Sequence, residues 1–229
     1  NESELIRFGW LGGSSHLFDI DLMKSGISST HNNFKNKVQF VLCGFDLRGT
    51  HTEIDKNTGE QRVRNILPME SVWYQYERIF TDDYKSISPE YRDFLLKFEQ
   101  VEFPNIANEP YRRVWTKPIT TYASNYNLFD ISLAPIKEHM FNKAKSQLKV
   151  IEGGFHKKAL IAQNFGPYTI DLKSVIKYGG GIDETGNAIL VDTIKNHSDW
   201  LKGIKFLNKN PEVIELMGNN LYETVKKYH

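Results

Sequence analysis

Short, almost wholly apolar runs punctuate the chain, separated by longer stretches in which apolar residues recur every three or four positions. Residues 5–11 (LIRFGWL) and 38–45 (VQFVLCGF) are runs of the first kind. They are too short for helices and rich in β-branched and aromatic residues, so each predicts a buried strand. Gly12 and Gly13 break the first run, and SSHLFDIDLMKSGI reads as a loop and then a helix. Strand, glycine turn, helix, strand is the rhythm of a parallel sheet. It resumes at VWTKPI, continues through a short helix TYASNYNL and the strand FDISLAP, and reaches a lysine-bearing helix over 141–156. The strands KALIAQ and AILVD follow, then an amphipathic helix around HSDWLKGIKFLNKN and a terminal helix from Pro211 with Leu216, Leu221 and Val225 facing inward.

The middle, about 48–113, departs from that rhythm. It holds a polar turn at NTGE (57–60), the amphipathic stretch ESVWYQYERIF, and SPEYRDFLLKFEQ. In the last, Ser88 as N-cap, Pro89 at the first helical position and Glu90 in the first turn mark a helix start. Trp73, Tyr74, Tyr76 and Phe80 are expected to make a small core for this insertion, the sharper alternative being a sugar platform. Asp82 and Asp83 read as a loop or cap rather than a metal pair. The fold expected is therefore α/β, with a Rossmann-like parallel sheet, helices on both faces and a helical insertion, in one domain over 1–229.

Composition narrows the function classes. Of 229 residues, 40% are hydrophobic and 25% charged, ordinary for a globular protein. Lys plus Arg of 29 against Asp plus Glu of 28 leaves a net charge of +1, so no global field favours nucleic acid or an anionic membrane. A lone cysteine, Cys43, excludes a disulfide framework and fits a reducing, cytoplasmic setting. No run approaches the length of a spanning helix, and NESELIRF is not a charged and apolar leader.

The stretch FNKAKSQLKVIEGGFH (141–156) raises a local electrostatic question. At 100° per residue, Phe141, Ala144, Leu148, Ile151 and Phe155 share a face expected to pack on the sheet. Lys145, Lys149, Glu152 and His156 form an adjacent polar stripe. Lysines in the first turns of a helix oppose its dipole, at about 0.3 to 1 kcal/mol each when exposed. An open parallel sheet binds ligands beyond the carboxyl ends of its strands, where this helix begins. A phosphate group there would gain both the helix-start N–H groups and the Lys145 charge. The bland alternative is a solvated face with an exposed Lys149–Glu152 pair. At the first glycine turn, Gly12 and Gly13 let a backbone approach closely, Ser14 and Ser15 offer donors and His16 could act on a substrate oxygen; a tight turn with a surface histidine is the plainer reading. The dinucleotide fingerprint is not met, since Gly9, Gly12 and Gly13 do not give G-x-G-x-x-G. Zinc-hydrolase, α/β-hydrolase and P-loop motifs are missing too.

Taken together, GWLGGSSHLFD, SLAPIKEHMFNKAKSQLKVIEGG, ALIAQNFGPY, NAILVD, HSDWLKGI and NPEV resemble the C-terminal, nucleotide-sugar-binding half of a GT-B glycosyltransferase of the group 1, family 4-like type. The resemblance covers roughly 5–47 and 114–229. It implies that Glu152 holds the ribose hydroxyls of the donor, that Lys145 and Ser146 meet the diphosphate, and that Gly12 and Gly13 face the sugar phosphate. It makes His16 a catalytic candidate and adds Ser14, Asn142 and Lys149 to the binding set. The family's first glutamate, eight positions before the second, is replaced by Ala144, and Glu138 is the candidate to take over contact with the sugar. Metal and cofactor are not expected, since lysines and helix dipoles stabilise the departing diphosphate.

The function expected is that of a glycosyltransferase donor domain of hexosyltransferase type, in surface polysaccharide synthesis. Its partners are a nucleotide-diphosphate sugar and a glycan or lipid-linked acceptor. With the first strand at about residue 5, the acceptor-binding N-terminal half is expected to be missing and the chain inactive alone. Peripheral association of the full-length protein with the inner face of the membrane is compatible with this. The alternative is a non-catalytic nucleotide-binding or interaction module on the same fold, and a sugar-nucleotide epimerase is a third.

Overall fold

The computed structural model describes residues 3–194 and 196–228. In chain order the strands are β1 (Ile6–Leu11), β2 (Val38–Phe45), β3 (Thr50–Ile54), β4 (Gln61–Asn65), β5 (Tyr111–Trp115), β6 (Ile131–Ala134), β7 (Ala159–Gln163) and β8 (Ile189–Val191). The helices are α1 (Leu17–Ile20), α2 (Lys24–Asn33), α3 (Val72–Phe80), α4 (Pro89–Leu95), α5 (Met140–Lys143), α6 (Leu148–Phe155), α7 (Asn196–Lys209) and α8 (Glu212–Val225). Six strands make one sheet in the order β5-β2-β1-β6-β7-β8, every pairing parallel. The expected Rossmann-like α/β fold is what the chain adopts. Among the described residues no helix is long and apolar enough to cross a membrane.

Alternation along the strands divides the core. Phe40 and Leu42 of β2 and Ala159 and Ile161 of β7 face one side, where Ile27 of α2, Trp73 of α3 and Trp200 of α7 cover them. Leu160 and Ala162 face the other, under Val150 of α6 and Leu221 and Val225 of α8. Both faces are covered, which is why the strands read as continuous apolar runs rather than alternating ones. The chain moves outward from β1 to β2 and β5, then returns to place β6 on the other flank of β1. Order therefore reverses between β1 and β6, and their carboxyl ends diverge there to leave a crevice.

Residues 48–113 hold α3 and α4, as expected, and also an antiparallel hairpin, β3–β4, around the NTGE turn. The hairpin is exposed on both faces. A separate core for these residues is not formed. Trp73, Tyr76 and Phe80 are buried in the main core instead, with Trp10 of β1 against Trp73 and Tyr76. These aromatics are covered by the sheet and are no platform for a sugar. Asp82 and Asp83 both take positive φ in the turn after α3, and Asp83 pairs with Arg78.

A second correction concerns 141–156. One helix was expected and two are found, α5 and α6, with Ala144–Gln147 between them. The apolar face supposed to seat this helix on the sheet does not do so over its first half: Phe141 is 69% and Leu148 54% exposed. Val150 takes the buried position instead. The chain turns here because Asn142 is drawn inward, its Nδ2 donating to the Lys137 carbonyl at 2.7 Å. The strand expected at VWTKPI also lies earlier, at Tyr111–Trp115.

The crossover helix α3 is fastened to the sheet by a buried ion pair. Glu77 of α3 and Arg113 of β5 have side chains 0% and 4% exposed. The carboxylate accepts from Arg113 Nε at 2.8 Å, Arg113 Nη2 at 2.5 Å, Tyr84 Oη at 2.7 Å and Tyr111 Oη at 2.9 Å. Arg113 also lies over the Phe45 ring, 4.2 Å from its centroid. Removing one partner strands a buried charge, so Glu77→Ala is expected to cost about 3–5 kcal/mol in urea denaturation, with Glu77→Leu/Arg113→Met recovering much of the loss. A Glu77→Ala midpoint matching the parent would show that the pair holds nothing together.

Candidate functional site

A cleft of about 1180 Å³ opens at the carboxyl ends of β1, β2, β5 and β6, over the point where strand order reverses. Lys117, Lys137, Lys145 and Lys149 line it, against the carboxylates of Asp19 and Glu152. A chain with a net charge of only +1 thus gathers a local cationic surface at one place.

The glycine turn after β1 forms one wall. A Cβ on Gly12 would stand 2.6 Å from the Trp10 ring and 3.0 Å from Lys149 Nζ, so the glycine makes room for the lysine to approach. Gly44, at the bulge ending β2, has φ +103°, and a Cβ there would sit 2.8 Å from the Gly12 carbonyl oxygen. Tyr76 of α3 holds the turn from behind: its hydroxyl accepts from the His16 N–H at 2.8 Å and donates to the Gly13 carbonyl at 3.4 Å. The insertion therefore shapes the site without lining it.

Asp19 joins this turn to the opposite wall. It is buried, and its Oδ2 lies 2.7 Å from His16 Nδ1 and 3.8 Å from Lys145 Nζ. Its Oδ1 accepts from the Lys137 N–H at 2.6 Å and from Asn142 Nδ2 at 3.4 Å. Burial pushes the carboxyl up, but the bonds from His16 and the Lys137 N–H, with the charges of His16 and Lys145, more than reverse this and leave it below the ordinary carboxylate value. An Nδ1–H donated to an ionised Asp19 leaves His16 Nε2 as the ring atom with chemistry to offer.

The start of α6 forms the far wall. Gln147 stands at the N-cap position without capping the helix; its Nε2 donates to Asp171 and Tyr228 instead. Lys149 lies in the first turn, where a cation is unfavourable. Its ammonium donates to the Leu11 carbonyl and lies 4.8 Å from the Trp10 ring centroid. Burial, with the neighbouring Lys145 charge, pulls its pKa down to about 8, against the pull of Glu152 and Asp19. One turn along, Glu152 is half-buried and accepts from Tyr122 and Tyr126, the latter at 3.0 Å. The exposed Lys149–Glu152 pair of the bland alternative is not formed; each has other partners.

Of the residues singled out in the sequence, Gly12, His16, Asn142, Lys145, Ser146, Lys149 and Glu152 line the cleft. Gly13 and Ser14 are exposed beside it. Glu138 is exposed and outside the lining, because the Lys137 N–H is held to Asp19 and the chain carries the next side chain away. Asp19, Asn125, Lys137, Tyr122 and Tyr126 were not anticipated. The His-x-x-Asp spacing at 16–19 was the available signal for Asp19; the tyrosines, four apart in a short helix, gave only a shared face.

No protein-family model matches the chain, and no curated protein matches it. Solved structures do. The crystal structure of Anabaena Alr3699/HepE in complex with UDP and glucose superposes with a TM-score of 0.57 at 8% identity, over 99% of this chain and 45% of that one. The chain is folded like one part of a GT-B glycosyltransferase. Trehalose-6-phosphate from E. coli bound with UDP-2-fluoro glucose gives 0.54 at 7% identity over 100% and 42%. Trehalose-6-phosphate synthase OtsA gives 0.52 at 7% over 99% and 41%. The chain thus spans less than half the length of these proteins, and at such identities the likeness is one of fold.

The lowered Lys149 pKa is open to direct measurement. With lysines reductively ¹³C-methylated, the Lys149 resonance is expected to titrate with a midpoint near 8 and to vanish in Lys149→Arg. A midpoint above 10 would show the ammonium to be solvated.

Proposed function

We propose that the chain is the donor-binding half of a two-lobed glycosyltransferase, holding a nucleoside-diphosphate sugar in the cleft. The observation that carries this is the convergence of Lys145, Lys149 and the uncapped start of α6 on a cleft at the point of strand reversal. That arrangement offers backbone N–H groups and fixed cations to one anion. In this reading a diphosphate relieves the unfavourable placement of Lys149 and supplies the counter-charge that burial withholds. As the sugar–oxygen bond breaks, negative charge grows on the diphosphate, and the two lysines and the helix start stabilise it without a metal. Glu152 receives the ribose hydroxyls, and His16, oriented through Nδ1 by Asp19, faces the sugar. The acceptor, a glycan or lipid-linked chain in surface polysaccharide synthesis, is held by the other lobe, so this lobe alone binds donor without turning it over. Support comes from the shared fold and from the UDP, UDP-2-fluoro glucose and glucose in the compared structures.

A non-catalytic module on the same fold has one observation on its side. Each Glu152 oxygen already accepts from a tyrosine hydroxyl, so a ribose either shares the remaining lone pairs or displaces a tyrosine. Tyr122 is the one to yield, being half-exposed on the cleft wall where Tyr126 is buried. Its hydroxyl is held in the neutral form, its pKa raised to about 12 by the bond to Glu152 and by burial.

Two titrations test the proposal. Lys145→Ala is expected to weaken UDP by about 1.5–3 kcal/mol, the range for a hydrogen bond to a charged group, and to leave uridine unchanged. Equal losses for both ligands would reject the phosphate role. Tyr122→Phe is expected to tighten uridine by up to about tenfold, since the competitor for Glu152 is gone. Weaker uridine binding in that variant would mean that the tyrosine positions Glu152 rather than occupying it.

A further inference from the structure

Ser146, Leu148 and Lys149 line the cleft, but Gln147 between them does not. Its side chain turns away from the cleft into a second cluster. Gln147 Nε2 donates to Asp171 Oδ2 at 2.7 Å and to Tyr228 Oη at 2.8 Å, and the Tyr228 hydroxyl donates to the same carboxylate oxygen at 2.6 Å. The three side chains close a ring of hydrogen bonds. Asp171 Oδ1 accepts from the Lys227 ammonium at 2.6 Å, and the Asp171 side chain is only 7% exposed. Burial pushes its carboxyl up, but the bonds from Lys227, Tyr228 and Gln147 outweigh this and leave it below the ordinary carboxylate value.

Two members of the cluster belong to the 3-10 turn Lys226–Tyr228 that follows α8. Asp171 is anchored to the same helix, since its carbonyl accepts from Asn187 Nδ2 at 2.9 Å and that amide also donates to Thr224 at 3.0 Å. The C-terminal end of the chain is thus tied, through one residue, to the start of α6.

That tie bears on α6 in two ways. The Gln147 carbonyl accepts the first bonds of the helix, from the N–H groups of Val150 at 2.9 Å and Ile151 at 3.1 Å, so fixing Gln147 fixes the direction in which the first turn leaves. An amide held by Asp171 and Tyr228 is also kept from folding over the first N–H groups, which have no partner within the helix. Glu152, one turn further on, is held separately by Tyr122 and Tyr126.

We propose that Asp171 and Tyr228, acting through Gln147, are positioning residues that hold the start of α6 open to a diphosphate from outside the cleft. This rests on the nucleotide reading above. None of the three touches the ligand in this account; they set the geometry of the N–H groups and of Lys149 that do.

The test is calorimetric titration of the chain and two neutral variants, Gln147→Met and Tyr228→Phe, with UDP and uridine, together with amide hydrogen exchange. The unaltered chain is expected to bind UDP more tightly than uridine. Gln147→Met is expected to weaken UDP by about tenfold, the effect of one or two hydrogen bonds, and Tyr228→Phe by less, with uridine unchanged in both. Exchange at the Val150 amide, which reports the first turn directly, is expected to quicken in both variants. Tyr228→Phe alters an exposed terminal turn and keeps the test available should Gln147→Met fold poorly. An undiminished preference for UDP in both variants would overturn the positioning role while leaving the diphosphate site standing. Equal losses of UDP and uridine would overturn it too, making the cluster a general support of the fold. No preference for UDP in the unaltered chain would remove the diphosphate reading and this inference together.

Discussion

One buried carboxylate holds the two sides of the cleft in register. Asp19 takes a hydrogen bond from the backbone at Lys137, another from Asn142 and one from His16, and it is the anion nearest Lys145. The first two belong to the connection after β6 and the third to the turn after β1, the two strands between which the order of the sheet reverses. Strands diverging at a reversal leave their loops with no ladder between them, so something else must fix the distance. Here it is a charge whose burial is offset by the groups it organises. It holds His16 and Asn142 and stands beside Lys145, and Asn142, bonded also to the Lys137 carbonyl, lies just before the break between α5 and α6.

The sheet was legible in the sequence because both faces are covered. Strands buried on two sides become unbroken apolar runs, and VQFVLCGF coincides with β2 residue for residue. The run YRRVW hid β5, since two arginines argue against a buried strand; Arg113 is tolerated because Glu77 and the Phe45 ring meet its charge from either side. Helical periodicity misled over 141–156 for a related reason. Phe141 and Leu148 repeat at the right interval, but they are rim residues of a cleft, and spacing carries no information about which apolar surface is meant to stay open.

Of the site, the parts confined to one segment could be read and the parts made by convergence could not. The glycine turn and the lysines around 145–149 announce themselves, one through backbone freedom and the other through an unfavourable position near a helix start. Asp19 shows only its spacing from His16, and Tyr122 shows no mark at all. Each takes its place in the site from partners more than twenty-five residues away, Lys137 and Asn142 for Asp19 and Glu152 for Tyr122. Glu77 was obscured in the same way, a carboxylate in an amphipathic stretch whose partner arginine lies in a strand that the sequence disguises.

The exposed β3–β4 hairpin has a further consequence. Its base is closed by the Ile66 N–H on the Gly49 carbonyl and by Ser71 on the Asp46 carbonyl, while the strands beyond are solvated on both faces. Everything past that closure can change length at little thermodynamic penalty, because doubling a flexible loop adds only about 0.6 kcal/mol of closure entropy. The core, by contrast, sees α3 and α4, which must keep Trp73, Tyr76, Glu77, Tyr91 and Leu95 in place. The crossover between β2 and β5 thus combines two constrained helices with a permissive stalk, and it gives descendants of this chain a place to acquire new surface while the cleft keeps its shape.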